Sequence, residues 1–98
     1  MSAYFIFVRN VTDPDGYRDY ARRVGATLAD AGGRVLVADA DSQEVEGMRP
    51  GHQTVVVEFA DKDTALAWYG SPAYQEIVGG RLAATQGFAV LCDGVGKP

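Results

Sequence analysis

Apolar residues recur along the chain in four short runs, separated by longer segments in which they return at helical spacing. The runs at residues 3–8, 34–38, 54–59 and 88–92 are rich in β-branched and aromatic side chains, which is typical of strands. In the first and last runs both alternating sets of positions are apolar. We therefore predict four strands, two of them with apolar side chains on both faces of a sheet.

The segment between the first two strands predicts one amphipathic helix. Asp13 before Pro14 is a favourable N-cap and first helical residue, and Thr12 with Asp15 is an alternative capping pair. The glycine pair at 32–33 is expected to end the helix. The apolar face consists of residues at intervals of three and four, namely Tyr17, Tyr20, Ala21, Val24 and Leu28.

Two helical pieces are predicted between the third and fourth strands. Asp61 is the expected N-cap of the first piece, which ends at Gly70, and Ser71 before Pro72 begins the second. The glycine pair at 79–80 is expected to interrupt this second piece. Its apolar face would consist of Tyr74, Ile77, Val78 and Leu82.

The resulting order predicts an α+β domain with the ferredoxin-like βαββαβ topology and a four-stranded antiparallel sheet. Residues 1–95 form the single domain and residues 96–98 a loose tail. The polar connection at 39–53 has a candidate extended segment at 44–46.

Because both helical segments cover the same face of the sheet, the other apolar face would be exposed, and such a face marks an interaction surface. We therefore predict a homodimer whose sheets pack face to face.

Charge and cysteine content restrict the partners and the compartment. Nine basic against thirteen acidic residues give a net charge of −4, which disfavours nucleic acid and anionic membranes as partners. Cys92 is the only cysteine, so no disulfide can form within the chain. The N-terminal apolar run is too short for a membrane span. These features predict a cytoplasmic protein.

Three stretches, VTDPDGYRDY, AGGRVLV and VVVEFADKDTALAWYGSPAYQEI with the later Arg81, resemble the domain of unknown function 1330 family of dimeric α/β-barrel proteins. The resemblance implies a ferredoxin-like subunit whose sheet pairs with that of a second subunit. Related dimeric barrels include cofactor-independent monooxygenases of antibiotic biosynthesis, lactone isomerases and heme-handling enzymes. For the family itself no general activity or substrate is established, so the resemblance implies a fold and not a mechanism.

Four polar residues are candidates for chemistry. His52, the only histidine, is a candidate general base, with an exposed loop residue as the alternative. Glu58 lies among apolar residues, where burial would raise its pKa and suit it to proton transfer. Its alternative role is an ion pair with Arg34 or Arg81. Either arginine is also a candidate for holding an anionic ligand with a forked pair of hydrogen bonds.

Three aromatic side chains surround the predicted corner at Gly70. Trp68, Tyr69 and Tyr74 would either pack the corner against the sheet or, through Trp68 and Tyr74, form the wall of a ligand cleft. The two interpretations are compatible. One histidine and one cysteine forty residues apart do not predict a metal site, and no glycine-rich phosphate loop is present, so no cofactor is expected.

These observations leave two functional hypotheses. The first is a dimeric protein that binds an apolar or aromatic small molecule in a cleft of each subunit, with cofactor-independent isomerase or monooxygenase activity as its enzymatic form. The alternative is a non-enzymatic structural or interaction module that acts as a homodimer.

Overall fold

Strand and helix boundaries follow the apolar pattern closely in the computed structural model, which describes residues 1–48 and 51–96. The described elements, in chain order, are β1 (Ala3–Val11), α1 (Pro14–Asp30), β2 (Arg34–Asp39), β3 (Gln53–Phe59), α2 (Lys62–Tyr69), α3 (Pro72–Ala84) and β4 (Thr85–Asp93). The strands form one antiparallel sheet in the order β2-β3-β1-β4. The predicted α+β ferredoxin-like βαββαβ fold is confirmed, with α2 and α3 together in the second helical connection.

Alternation along β1 divides the sheet into two faces. Ala3, Phe5, Phe7 and Arg9 are buried, while the residues between them are half-buried. The buried set faces the helices and forms one core with helical aromatic and aliphatic side chains. The molecule is therefore two layers thick, with extents of 40 × 36 × 16 Å, and no described element covers the second face of the sheet.

Side-chain caps begin all three helices, as predicted. The Asp13 carboxylate accepts a hydrogen bond from the Gly16 N–H at 3.1 Å, so Asp13 caps α1. Asp61 accepts from the Thr64 N–H at 2.7 Å, and Ser71 Oγ accepts from the backbone N–H of α3 at 3.2 Å. Each cap satisfies an N–H group that has no partner within its own helix.

The predicted interruption at Gly79 and Gly80 is wrong, because α3 continues through both residues. Neither glycine has a positive φ, so each retains helical geometry at a cost of about 1 kcal/mol relative to alanine. Burial of Ile77 and Val78 in the core, with α3 packed against α1, offsets that cost. Leu82 was predicted on the buried face, but its side chain is 58% exposed.

The first and last strands are longer than predicted. β1 extends to Val11 and β4 begins at Thr85, because these two strands pair along their whole length. Residues 44–46 form no strand. Of the predicted tail, residues 97 and 98 lie outside the described residues, as do 49 and 50 of the polar connection.

No helix in the described ranges is long and apolar enough to span a membrane, and the cytoplasmic location stays a prediction.

Candidate functional site

A cavity of about 190 Å³ lies between α1 and the helix-facing side of the sheet. We call it the α1 cavity. Its walls are mainly aromatic and aliphatic, with Trp68 of α2 contributing from the second helical segment. Its lining includes Phe7, Arg9, Tyr17, Tyr20, Ala21, Val24, Gln53 and Trp68.

Arg9 is the charged residue among the described residues that line the α1 cavity, and only 4% of it is exposed. Its Nε–H donates to Gln53 Oε1 at 2.7 Å, and its Nη2–H donates to the Tyr17 hydroxyl at 2.8 Å. The buried Nη1 has no hydrogen-bond partner among the described residues. The guanidinium carbon lies 5.0 Å from the Phe7 ring centroid and 5.4 Å from that of Tyr17, within cation–π range.

Strand alternation explains why this arginine is buried. Arg9 continues the helix-facing series of Phe5 and Phe7 along β1, and its register partner on β4 is Gly87. Gly87 has φ of +154°, and a Cβ built there would lie 2.7 Å from the Arg9 Cβ. A side chain at this position would therefore collide with the strand that carries Arg9, so the glycine permits the close approach of β4.

Arg81 of α3 is a second buried cation, with 6% exposure. Its guanidinium carbon lies 5.3 Å from the centroid of the Phe7 ring that Arg9 also contacts. Its Nε has no hydrogen-bond partner among the described residues. Arg81, predicted as a ligand-binding residue, thus lies beside the α1 cavity without lining it.

The hydroxyls of Tyr20 and Tyr74 are hydrogen-bonded to each other at 2.9 Å in the core. Tyr20 lines the α1 cavity, while the fully buried Tyr74 lies behind it. Burial and then the Tyr74 hydroxyl raise the pKa of Tyr20 far above its usual value, against a smaller opposing effect of Arg9 and Arg81. Tyr20 is therefore a neutral hydroxyl at physiological pH.

Trp68 combines the two roles that the sequence left open. The centroid of its ring lies 4.1 Å from that of Tyr74 in α3 and 5.4 Å from that of Phe59 in β3. Trp68 therefore packs the corner against the sheet. Its indole N–H donates to Thr27 Oγ1 of α1 at 3.0 Å. The same side chain lines the α1 cavity, so the corner is both packed core and cavity wall.

Glu58 and Arg34 lie on the opposite side of the sheet. Arg34 Nη2 donates to Glu58 Oε1 at 2.8 Å, and the Tyr4 hydroxyl donates to Oε2 at 3.2 Å. Burial alone would raise the pKa of the Glu58 carboxyl, but the Tyr4 hydrogen bond and the Arg34 charge together lower it below its ordinary value. The ion-pair alternative is therefore the one observed, with Arg34 and not Arg81 as the partner.

His52 lies at the end of the loop before β3 and is half-buried. Its backbone carbonyl accepts hydrogen bonds from the Ser42 N–H at 2.9 Å and the Ser42 hydroxyl at 3.0 Å. The residue does not line the α1 cavity. Across residues 1–48 and 51–96 there is no group of three His, Cys, Asp or Glu side chains placed to hold a metal ion.

Sequence reasoning missed four polar lining residues, Arg9, Tyr17, Tyr20 and Gln53, as site residues. The signal for Arg9 was present, since it continues the alternation of positions 3, 5 and 7. The predicted first strand ended at residue 8, so Arg9 was not recognised as a core-facing strand residue. A charged residue at a core-facing strand position is uncommon unless it has a partner or a ligand.

The uncovered face of the sheet is the second candidate functional surface. It consists of the side chains of β1, β3 and β4 that alternate with the core-facing ones, together with part of β2. Phe88 is 50% exposed, Val90 44% and Val37 40%. Its apolar part is continuous across the strands, with Glu58, Arg34 and Thr54 on the same side of the sheet, and it is formed by Tyr4, Ile6, Val8, Val37, Val56, Phe88, Val90 and Cys92.

Fold and cavity together define a ferredoxin-like α+β domain with a cavity between helix α1 and the sheet. A protein of unknown function from Rhodopseudomonas palustris has a similar structure, with a TM-score of 0.82 at 16% identity over 99% of this chain and 84% of that one. SnoaB, a cofactor-independent oxygenase from Streptomyces nogalater, gives a TM-score of 0.69 at 15% identity, covering 98% and 95%. HapK from Hahella chejuensis gives 0.65 at 16% identity, covering 98% and 95%.

The family follows from the sequence itself. A family model described as a domain of unknown function (DUF1330) matches residues 2–95, so the chain belongs to that family. The comparison with curated proteins finds no match. The structural similarities lie at identities that establish the fold alone.

Proposed function

We propose that this protein binds a small apolar or aromatic molecule in the α1 cavity. The observation that carries the proposal is the lining, in which aromatic and aliphatic walls surround a few convergent polar groups, as in ligand pockets generally. The volume of about 190 Å³ exceeds the roughly 150 Å³ of an engineered apolar cavity that holds benzene. A ligand with one ring and small substituents fits this space.

The enzymatic form of the proposal is a cofactor-independent isomerase or monooxygenase. Its support is the shared fold with SnoaB, an oxygenase of that kind. His52 and Glu58, predicted to transfer protons, do not line the α1 cavity. In this form the proton-carrying group would be the hydroxyl of Tyr20, a residue that lines the cavity and whose hydroxyl is hydrogen-bonded to that of Tyr74.

A matched pair of substitutions on α1 tests the binding site. Ala21 and Ala26 are both exposed alanines of the same helix, but only Ala21 lines the α1 cavity. Ala21→Phe should fill the opening and weaken binding of a one-ring probe about tenfold or more, while Ala26→Phe should leave it unchanged. Benzoate and benzamide are suitable probes, with the fluorescence of Trp68, the only tryptophan, as the signal.

Native mass spectrometry of the freshly purified protein adds an independent measurement, because a retained natural ligand would appear as a releasable mass. The binding proposal fails if neither probe changes Trp68 fluorescence in the wild type. It also fails if both phenylalanine variants bind the probes like the wild type, since binding would then occur elsewhere.

The uncovered face supports a second part of the proposal, a homodimer with the two sheets packed face to face. The described residues expose 6093 Å², and a standard interface covers about 800 Å² per partner, roughly an eighth of that surface. The charges next to this face, Arg34 and Glu58, neutralise each other, so burial would leave no unpaired charge among them. Exposed apolar sheet faces of this kind are costly in a monomer.

Two glutamate substitutions separate this interface from the rest of the surface. Val90 lies on the uncovered face with 44% exposure, and Leu82 lies on the outer side of α3 with 58% exposure. Val90→Glu should convert a dimer into a monomer in sedimentation velocity, while Leu82→Glu should remain dimeric. A monomeric wild type would exclude the dimer, and with it the alternative of an interaction module that acts as a homodimer.

A further inference from the structure

We propose that the ligand of the α1 cavity is a carboxylate, bound by the guanidinium of Arg9 with Arg81 close by. This inference rests on the proposed function, because it names the chemical class of the molecule in the same cavity. Its basis is a buried cation whose hydrogen bonds and charge are only partly satisfied by the protein.

The hydrogen bonds of Arg9 leave one edge of the guanidinium unused. Gln53 accepts from Nε and Tyr17 accepts from Nη2, so these two neutral groups fix the plane of the guanidinium. Nη1 is buried and bonds to no atom of the described residues. Nη1 and one of the two Nη2 hydrogens therefore have no partner among the described residues, and the N–H groups of a guanidinium match the two oxygens of a carboxylate.

Arg9 also has no ion-pair partner among the described residues. Among the described residues, ion pairs are formed by Arg18, Arg22, Arg23, Arg34 and Lys62, and neither Arg9 nor Arg81 takes part in one. Two buried like charges over the same Phe7 ring repel each other in a medium that screens poorly. A buried charge is ordinarily paired, and an anion from outside the chain would supply the missing partner.

The described lining of the α1 cavity offers no carboxylate of the protein that could pair with Arg9. Among the residues that the structure describes, no Asp or Glu lines the α1 cavity, and the other polar lining residues are the neutral Gln53, Tyr17 and Tyr20. The neutral hydroxyl of Tyr20 can also donate to an anion. Apolar walls would hold the body of the ligand while Arg9 holds its carboxylate, which predicts a small cyclic or aromatic acid.

The first experiment compares two probes of nearly equal shape and different charge. Benzoate and benzamide are titrated into the wild-type protein, with Trp68 fluorescence excited at the red edge of its absorption. Because hydrogen bonds to a charged group are stronger than neutral ones, benzoate should bind at least about tenfold more tightly than benzamide.

A charge-changing variant tests whether Arg9 is responsible. Gln53→Glu preserves the shape of the residue that accepts from Arg9 Nε and places a carboxylate of the chain next to the guanidinium. We expect this variant to fold, to melt no lower than the wild type, and to lose about tenfold or more in benzoate affinity. Gln43→Glu, at an exposed loop position that does not line the cavity, is the matched control and should bind benzoate like the wild type.

Each outcome decides between distinct conclusions. Equal binding of benzoate and benzamide would overturn the carboxylate while leaving a small-molecule site in place. Unchanged benzoate affinity in Gln53→Glu would likewise overturn the assignment to Arg9. If neither probe binds the wild-type protein, the proposed function fails together with this inference. Tight benzoate binding that is lost only in Gln53→Glu supports both.

Discussion

Substitutions of Tyr20 in α1 and Tyr74 in α3 should have non-additive effects on the free energy of unfolding, because the two hydroxyls bond to each other. The oxygens lie 2.9 Å apart, and the residues are 4% and 0% exposed. Within the described residues each hydroxyl has only the other as its hydrogen-bond partner. Removing one hydroxyl therefore leaves the second buried without a partner, whereas removing both leaves an apolar contact of almost the same shape.

The size of the effect follows from that asymmetry. Tyr20→Phe or Tyr74→Phe loses a net bond of about 1 kcal/mol and strands a hydroxyl, for a total of about 1–3 kcal/mol in the free energy of unfolding. The double variant should lose less than the sum of the two, because no polar group is stranded. The coupling energy of the cycle is then about 1–3 kcal/mol.

Urea unfolding of the four proteins measures the cycle, and one fixed protein concentration keeps any contribution from assembly the same in all four. Tyr69→Phe is the control, since the Tyr69 hydroxyl makes no hydrogen bond among the described residues and its loss should change little. Additive losses in the double variant would refute the reasoning. Single losses near zero would also refute it, because they would mean that water entering through the α1 cavity satisfies the remaining hydroxyl.

Two further predictions concern the sheet and the helices. The pKa of Glu58 is lowered in the folded protein from its ordinary 4.5, so its stabilising effect is complete above that value and is lost as the pH falls through the folded pKa. Glu58→Gln should therefore lower stability at neutral pH and flatten its decline in acid, as measured by urea midpoints across pH; parallel curves would contradict an effect of the Arg34 pair. Gly79→Ala, where a Cβ meets no atom within 4 Å, should stabilise α3 by about 0.4–1 kcal/mol. Gly87→Ala should destabilise by roughly 2 kcal/mol or more, because φ is +154° and the Cβ would lie 2.2 Å from the Val8 carbonyl oxygen; equal melting temperatures of these two alanine variants would contradict the distinction.

The sequence by itself was enough to determine the order and type of the elements. Strand and helix periodicities are local properties of the chain, and capping by Asp13, Asp61 and Ser71 depends only on the first turn that follows each residue. The apolar composition of both strand faces likewise indicated that one face of a two-layer fold would remain uncovered. The local prediction was wrong at Gly79 and Gly80, where burial of the neighbouring α3 residues in the core outweighed the low helix propensity of glycine.

Only the tertiary structure decided which polar groups meet. Glu58 and Arg34 are neighbours because β2 and β3 pair in one register, and that register places them on the opposite side of the sheet from Arg9. Arg9 and Arg81 are 72 positions apart in sequence, yet both contact the Phe7 ring. Side-chain direction alternates with each strand residue, so a site depends on register and helix placement, which are set by long-range packing and are not encoded in any single stretch of the chain.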